Sequence, residues 1–323
     1  MDVKFTEPRV RICVLGGTGF VGTELITHLA AAGHWVRVPT RSLSHGAHLT
    51  VLPTVELIEA NIHDARVLGE LLSGMDVAIN LVGILNERGG ARFRDVHVEL
   101  ATKLIEEARR ARVPRLLHMS SLGADAERAP SRYLRSKGQA EARVSAAGPF
   151  LEYTIFRPSV IFGPRDSLTN RFTSLLRLSR GVLPLARPRT RFAPVYVHDV
   201  ALAFMRALYD RSTIGRTFEL CGPDVLTLGQ IVRATAAVAH LRCWIIPLPD
   251  VLARLQGVAL GWLPGAPFSL DNFRSLTLDS VCRENGCAAL QIEPRHMAAV
   301  LPTYLGDQVP EARLDRYRQT AER

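Results

Sequence analysis

A glycine-rich turn between a short apolar run and a helical pattern constrains the fold of this chain more than any other sequence feature. Residues 10–15 form the apolar run, and Gly16, Gly19 and Gly22 follow at three-residue spacing. The first glycine permits a tight turn, the second lets backbone approach a pyrophosphate, and the third lets helix pack closely on strand. The free N–H groups at the start of a helix also attract phosphate oxygens. The turn therefore predicts a dinucleotide site contacted by Gly16, Thr18, Gly19, Phe20, Val21 and Gly22.

Apolar runs alternate with helical patterns through residue 163, which is typical of parallel β-α-β units. We predict a doubly wound (Rossmann) α/β fold for residues 1–163, with strands returning to the sheet from about residue 192 to 222. Residues 164–191 and 223–323 are expected to form a smaller, mostly helical substrate-binding or cap region over the carboxyl edge of the sheet. The predicted strands are residues 10–15, 35–39, 55–58, 77–82, 115–119, 151–156, 195–197 and 218–220; the predicted helices are residues 21–32, 65–72 (capped by Asp64), 96–112, 133–146, 228–238, 250–256 and 296–301.

The end of the second predicted strand distinguishes NADP from NAD. An acidic residue there would bind the ribose 2′-hydroxyl of NAD, but residues 37–42 read Arg-Val-Pro-Thr-Arg-Ser. Arg41 can offer a planar guanidinium to a 2′-phosphate, and Ser42 can add a hydroxyl. The sequence favours NADP, against the alternative that Arg41 is one more surface arginine.

Tyr133 and Lys137 lie four residues apart on a predicted helix and therefore share one of its faces. A phenol has a pKa near about 10, and an ammonium one turn away is expected to lower it towards neutrality. The chain has 40 basic residues, of which only Lys4, Lys103 and Lys137 are lysines, so a lysine at this position is informative. Ser121 lies just after the strand predicted at residues 115–119 and would bring a hydroxyl to the carboxyl edge of the sheet.

These motifs resemble the short-chain dehydrogenase/reductase superfamily in its extended, epimerase/dehydratase-like branch. The resemblance rests on the glycine turn, on Ser-Ser-Leu-Gly-Ala-Asp at residues 120–125 and on Tyr-x-x-x-Lys. It rests further on Phe-Arg-Pro-Ser-Val-Ile-Phe-Gly at residues 156–163 and Pro-Val-Tyr-Val-His-Asp-Val-Ala at residues 194–201. The serine segment followed by residues 131–133 is most similar to bacterial relatives of the nucleotide-binding accessory subunit of respiratory complex I.

The resemblance implies a role for each matching residue. Tyr133 would be the general acid–base, Lys137 would bind the nicotinamide ribose, and Ser121 would polarise the substrate oxygen. His97 stands where many relatives carry an asparagine. Its role is therefore left open between a proton relay and an ordinary helix histidine. The remaining cofactor contacts would be Asn61 and Ile62 beside adenine, Leu81, Val82 and Gly83 along the nucleotide groove, and Pro158, Ser159 and Val160 around the nicotinamide carboxamide.

The first functional hypothesis is an NADP-dependent oxidoreductase that moves hydride between the nicotinamide and a carbonyl or secondary alcohol. A non-catalytic NADPH-binding structural or assembly protein is the second, and a sugar-nucleotide epimerase or dehydratase is the third. Residues 245–270, with Trp262, Leu263 and Phe268, are apolar and broken by prolines. They would pack the cap region, or shape a pocket for an isoprenoid or quinone-like substrate, or touch a membrane. The candidate pocket residues include few polar ones, and this scarcity argues against a sugar-nucleotide substrate.

The formal charge of +9 favours anionic partners. An aromatic content of 7% and the lack of a recognition motif argue against nucleic acid. His198 and Asp199 are interpreted as a helix start capped by Asp199, with a substrate-facing His198 left open. One basic cluster is either a solvated loop or a site for an anionic substrate, an acidic partner or lipid headgroups; it contains Arg177, Arg180, Arg187, Arg189 and Arg191.

The five cysteines are odd in number, widely spaced and outside metal-ligand spacings. They predict free, buried thiols in a reducing compartment and no metal site. No signal peptide is recognised at the start of the sequence, and no apolar run reaches the ~18 residues of a membrane helix. We expect a cytoplasmic protein that can lie peripherally on the inner face of a membrane or contact a respiratory complex.

Overall fold

The strands of the chain are short, as expected for apolar runs of this length. The computed structural model describes residues 9–261 and 268–305, so the predicted roles of Trp262 and Leu263 lie outside the described residues. In chain order the strands are β1 (Arg11–Leu15), β2 (Trp35–Thr40), β3 (Val55–Glu59), β4 (Val77–Asn80), β5 (Arg115–Met119), β6 (Glu152–Pro158), β7 (Ile161–Phe162), β8 (Val182–Ala186), β9 (Arg191–Phe192), β10 (Val195–Tyr196), β11 (Arg216–Leu220), β12 (Leu226–Thr227) and β13 (Trp244–Leu248).

Helices connect most of these strands, and short 3₁₀ segments lie at Leu43–Leu49 and Arg211–Thr213. Across the described residues, no helix combines the length and the apolarity that crossing a bilayer requires. In chain order the helices are α1 (Phe20–Ala31), α2 (Ala65–Leu72), α3 (Leu100–Arg110), α4 (Arg132–Ala146), α5 (Thr169–Leu178), α6 (Val197–Tyr209), α7 (Leu228–Val238), α8 (Asp250–Gly261), α9 (Leu270–Ser275), α10 (Gly286–Ala289), α11 (Met297–Val300) and α12 (Pro302–Leu305).

The described chain divides into two compact units. The first contains residues 9–158, 200–220 and 284–292, and the second contains residues 159–199, 221–283 and 293–305, apart from the undescribed 262–267.

The first unit is built on a seven-stranded sheet in which all observed pairings are parallel. Its order is β11-β6-β5-β4-β1-β2-β3. The strand order reverses between β3 and β4, so the carboxyl ends of β1 and β4 form the switch point at which such sheets bind ligands. Residues 12–15 of β1 are fully buried, as a strand covered by helices on both faces requires. The predicted doubly wound parallel fold is confirmed.

Most predicted elements of the first unit appear within one or two residues of their predicted limits. Asp64 caps α2 as predicted, because its Oδ1 accepts hydrogen bonds from the N–H groups of Arg66 and Val67. The helix predicted at residues 96–112 is instead a π-helical turn at Arg94–Glu99 that continues as α3. π-helical turns of this kind are frequent at functional sites.

The second unit contains elements that the sequence analysis missed. Strand β8 carries a proline and pairs in parallel with β13, which lies about sixty residues further along the chain. Helix α5 precedes β8, and Leu176, Leu183 and Leu185 pack with residues of α7 in one core cluster. The chain around the basic cluster is therefore folded into a helix and a strand. The local sequence pattern could not reveal a strand pairing between residues about sixty positions apart.

Two predictions about individual side chains in this unit are wrong. Asp199 does not cap α6 but lies inside its first turn, buried, where Oδ2 accepts a hydrogen bond from the N–H of Arg295. Cys221 and Cys282 form a disulfide, although five free thiols were expected. Folding brings two cysteines together from positions 61 residues apart, and sequence spacing does not report that proximity. Cys13, Cys243 and Cys287 are free.

We expect the substitution Cys282→Ser to lower the free energy of unfolding by about 2–4 kcal/mol, because the open chain gains conformational entropy when unfolded. Thermal melts under non-reducing conditions measure the effect. Reduction of the disulfide should lower the melting temperature of the wild type to that of the variant. Cys243→Ser, which removes a free thiol, is the matched control. Mass spectrometry that finds five alkylated thiols in the native protein would contradict the assignment.

Candidate active site

The glycine turn is shaped by contacts that exclude side chains. Gly16 has a φ of +79°, and a Cβ there would lie 3.1 Å from the backbone of Leu81 and Val82. A Cβ on Gly22 would lie 2.5 Å from the carbonyl oxygen of Gly16. Both positions therefore require glycine: α1 packs on the turn, and the turn packs on the residues after β4.

The start of α1 suits a phosphate group. Gly19 precedes the helix, no side chain caps it, and the first turn carries no acidic residue. A Cβ on Gly19 would meet only the Gly16 carbonyl oxygen, at 3.2 Å. Backbone N–H groups are thus accessible at the positive end of the helix dipole, where a dinucleotide pyrophosphate fits. Thr18 and Phe20 are half-buried beside this opening, whereas Val21 points into the core.

The segment after β4 runs alongside the glycine turn. The Leu81 N–H donates to the Leu15 carbonyl at 3.0 Å, and the Val82 N–H donates to Asn80 Oδ1 at 3.1 Å. Leu81 is buried and Val82 half-buried, while Gly83 is exposed at the sheet edge. The structure therefore places Leu81 and Val82 next to the glycine turn, and Gly83 beside Lys137.

The ends of β2 and β3 carry the residues predicted for the adenosine half of the cofactor. Arg41 is exposed and forms no ion pair with any described residue. Ser42 Oγ lies 2.8 Å from Ser44 Oγ. Asn61 is exposed and accepts a hydrogen bond from the His63 N–H, whereas Ile62 packs against the core. No acidic side chain stands at residues 40–42, as the sequence shows.

The structure brings Ser121 and Tyr133 into direct contact. A hydrogen bond joins the Ser121 hydroxyl to the Tyr133 phenol, and Tyr133 is half-buried. Burial raises the pKa of Tyr133, and the hydrogen bond offsets part of that rise. The spacing of Tyr133 and Lys137 predicts a lowered pKa for the phenol, whereas in the structure burial raises this pKa. The phenol is consequently protonated at neutral pH.

Lys137 lies one turn further along α4 and is buried. Its Nζ donates hydrogen bonds to the carbonyl oxygens of Met119 at 3.1 Å and Val82 at 3.4 Å. Burial lowers the pKa of Lys137 to about 8, and the nearby Glu141 opposes this change. A Cβ on Gly83 would lie 3.1 Å from Nζ, so glycine leaves one side of the ammonium approachable.

His97 has a defined structural role. The Ile84 N–H donates to Nε2 at 3.1 Å, so the proton resides on Nδ1, which donates to Ser136 Oγ at 2.7 Å. Ser136 in turn donates to the carbonyl oxygen of Tyr133. Burial lowers the pKa of His97 to about 2, and the Lys137 charge adds to this effect. His97 is therefore a neutral bridge between the segment after β4 and helix α4.

Several residues near this site escaped the sequence analysis. The ring of Phe93 lies 5.7 Å from that of His97 and 6.0 Å from that of Tyr133. His118 is buried beside Asn80, and burial lowers its pKa to about 3. Its Nε2 and the buried Ser120 Oγ have no hydrogen-bond partner among the described residues. Asn80 and His118 carried a signal as polar residues in largely apolar strands, and Ser120 stands in the motif at residues 120–125.

The remaining predicted residues divide between the two units. The Pro158 carbonyl accepts a hydrogen bond from the Leu122 N–H in the first unit. Ser159 Oγ donates to the Ser280 carbonyl, and the Val160 carbonyl accepts from Val195, all within the second unit. Their predicted contact with the nicotinamide stays a prediction.

The other candidates also lie in the second unit. The ring of His198 stacks on that of Tyr196. Within the basic cluster, Arg187 pairs with Asp250 and Arg191 with Asp279.

The pKa of Lys137 predicts a pH-dependent stability. Because burial lowers this pKa from 10.5 to about 8, the unfolded chain binds more protons than the folded chain between those values. The free energy of unfolding of the wild type should therefore rise with pH, relative to Lys137→Met, by about 3 kcal/mol across this window. Denaturant titrations at pH 7 and pH 10 measure the difference.

Lys103→Met is the control for this measurement, since it leaves Lys137 in place and should retain the rise with pH. A constant difference between wild type and Lys137→Met at both pH values would contradict the burial of a charged lysine.

Comparisons with known proteins agree with this geometry. Residues 12–221 match the NAD dependent epimerase/dehydratase family. The chain is 34% identical over 290 residues to NADH dehydrogenase (ubiquinone) 1 alpha subcomplex subunit 9, mitochondrial, of Arabidopsis thaliana, covering 84% of this chain and 71% of that protein. It is 32% identical over 252 residues to the ceramide reductase of Caulobacter vibrioides, covering 76% and 75%.

Among solved structures, dTDP-glucose 4,6-dehydratase DesIV of Streptomyces venezuelae shares the fold, with a TM-score of 0.71 and 19% identity over 91% of this chain and 95% of that one. The resemblance drawn from the sequence motifs is confirmed, including its relation to the complex I subunit. With the glycine turn open for a dinucleotide and Ser121, Tyr133 and Lys137 assembled in the same unit, this chain belongs to the NAD(P)-binding NAD-dependent epimerase/dehydratase family.

Proposed function

We propose that the protein is an NADP(H)-dependent oxidoreductase that acts on a carbonyl or secondary alcohol of an apolar substrate. The observation that carries this proposal is the Ser121–Tyr133 hydrogen bond, with the buried ammonium of Lys137 one helical turn away. A protein that only binds a nucleotide needs no such set of side chains.

The three residues divide the chemistry between them. The nicotinamide, when bound, supplies or accepts the hydride. Tyr133 Oη transfers a proton to or from the substrate oxygen, and Ser121 Oγ orients that oxygen by a hydrogen bond. Lys137 Nζ, approachable past Gly83, would hold the hydroxyls of the nicotinamide ribose. Burial raises the pKa of Tyr133, so at neutral pH the phenol carries the proton that carbonyl reduction would draw from it.

The preference for NADP rests on the end of β2. Arg41 is exposed without an ion pair among the described residues, so its guanidinium can bind a 2′-phosphate without losing another partner. Its charge also reaches the turn after β3, where it adds to burial in lowering the pKa of His63. A second phosphate charge at this place is electrostatically favourable.

An apolar substrate is favoured by the segment that follows Gly83. Ile84 is anchored to His97, and the following residue, Leu85, is 51% exposed. An exposed leucine on this segment offers a contact to hydrocarbon rather than to sugar hydroxyls. The similarity to a ceramide reductase supports the same substrate class.

Replacing Arg41 tests the cofactor assignment. Arg41→Ala should weaken NADPH binding about 10- to 100-fold, because a charge-assisted hydrogen bond contributes about 1.5–3 kcal/mol. NADH binding should change little, since NADH carries no 2′-phosphate. Fluorescence titration with both nucleotides provides the measurement, and Arg66→Ala, at another exposed arginine, is the control. An unchanged ratio of the two affinities would overturn the NADP assignment.

Replacing Tyr133 tests catalysis. Tyr133→Phe should lower kcat by about 10²- to 10⁴-fold while NADPH binding persists, because the ring remains and only the proton donor is lost. NADPH oxidation in the presence of a long-chain aliphatic ketone or a 3-ketosteroid follows turnover. Tyr153→Phe, which alters a tyrosine packed in the core, should retain activity. If Tyr133→Phe turns over as fast as the wild type, the catalytic assignment is wrong.

The second candidate is an NADPH-binding structural or assembly protein that contacts a respiratory complex. The similarity to an NADH dehydrogenase subunit favours it. Tight NADPH binding without turnover of any ketone offered, together with a lower melting temperature when the nucleotide is removed, would favour this candidate over the first.

A further inference from the structure

One face of the small sheet formed by β8 and β13 is apolar and exposed. Val182 stands opposite Trp244, and Pro184 stands opposite Ile246 in the parallel register. Trp244 is 74% exposed, Ile246 50% and Val182 44%. These four residues point to the same side, because side chains alternate along a strand. We call this surface the apolar sheet face.

The opposite face of the same two strands is buried in the core of the second unit. Leu183 and Leu185 are buried against α5 and α7. Ile245 of β13 and Cys243, the residue before β13, pack against the same cluster. One face of the sheet therefore packs in the core, and the other face is apolar although it is exposed to solvent. Exposed tryptophan and isoleucine in one patch mark an interaction surface.

Basic residues stand at one end of this face. Arg180 and Arg242 flank Gly181, whose Cβ would lie 2.8 Å from Arg242 Cβ, and Trp244 N–H donates to the Gly181 carbonyl at 2.7 Å. Both arginines are exposed, and neither forms an ion pair with a residue that the structure describes. Arg177 is also exposed, one turn earlier on α5. Positive charge thus lies immediately beside Val182 and Trp244.

Helix α8 continues the apolar character. It begins two residues after β13 and exposes Val251, Leu252 and Leu255, whereas Ala253 packs into the core with Phe273. The acidic residue of α8, Asp250, is already paired with Arg187. Across β8, β13 and α8, no acidic side chain in the described residues is left to meet the arginines at the end of the sheet.

We propose that the apolar sheet face docks on a bilayer that contains anionic lipids. Trp244, Ile246 and Val182 enter the interfacial region, where amphipathic aromatic rings are favoured, and Arg180 and Arg242 bind lipid phosphates. A second copy of this chain is the poorer occupant, because its own apolar sheet face would bring the same arginines and no free carboxylate. The proposal is independent of the dinucleotide site and needs no turnover to be tested.

Vesicle sedimentation tests the docking with the full-length protein. The wild type should sediment with mixed phosphatidylcholine/phosphatidylglycerol vesicles more than with phosphatidylcholine vesicles, and added salt should weaken binding. The double variant Arg180→Gln/Arg242→Gln should bind about 25-fold more weakly, since each basic residue contributes about fivefold. Trp244→Ser/Ile246→Ser should lose binding to both vesicle types. Arg66→Gln/Arg143→Gln, with the same change of charge at exposed sites elsewhere, should bind like the wild type.

A fluorescence measurement keeps the test independent of variant folding. Lipids with brominated chains should quench the tryptophan emission of the wild type, and Trp244→Phe should bind vesicles while losing that quenching. The proposal is overturned if the wild type does not bind anionic vesicles, or if Trp244→Ser/Ile246→Ser binds them unchanged. It is also overturned if light scattering finds a dimer that the same double variant dissociates, which would assign the face to a second copy.

Discussion

The close approach of the glycine turn to the end of β4 organises the candidate site. A Cβ at Gly22 would come within 2.5 Å of the Gly16 carbonyl, and one at Gly16 would press on Leu81 and Val82. Because these positions carry no side chain, α1 lies directly against the sheet, and its free N–H groups open at the switch point. The same approach holds residues 81–83 beside the turn, where the Val82 carbonyl receives Lys137. The position of the α1 N-terminus and the placement of Lys137 therefore depend on the same close packing.

Burial gives the site its electrostatic character. The pKa values of His97, His118 and Lys137 are all lowered, and burial is the largest cause in each case. Burial likewise raises the pKa of Tyr133. Each shift favours the neutral form of the group, as a low-dielectric environment requires. The neutral His97 can then bridge the Ile84 backbone to Ser136 without adding positive charge beside Lys137.

The sequence predicted the structure correctly where local pattern and spacing carry the information. The glycine turn, the buried strands and the four-residue spacing of Tyr133 and Lys137 follow from local geometry, and they led to the correct fold and family. It failed where residues far apart in the chain meet. The pairing of β8 with β13, the disulfide between Cys221 and Cys282 and the partner of Asp199 all depend on distant contacts. The direction of the Tyr133 pKa shift was missed because burial of a side chain is not visible in its neighbours along the sequence.

By itself, the sequence determined which residue types meet the demands of a dinucleotide fold, because glycine at a positive φ and apolar alternation are local requirements of the backbone. Tertiary structure decided the protonation states of the site, the free or bonded state of the cysteines and the exposure of Trp244. Those properties depend on how much water and which distant partners surround a group, and only the folded chain sets both.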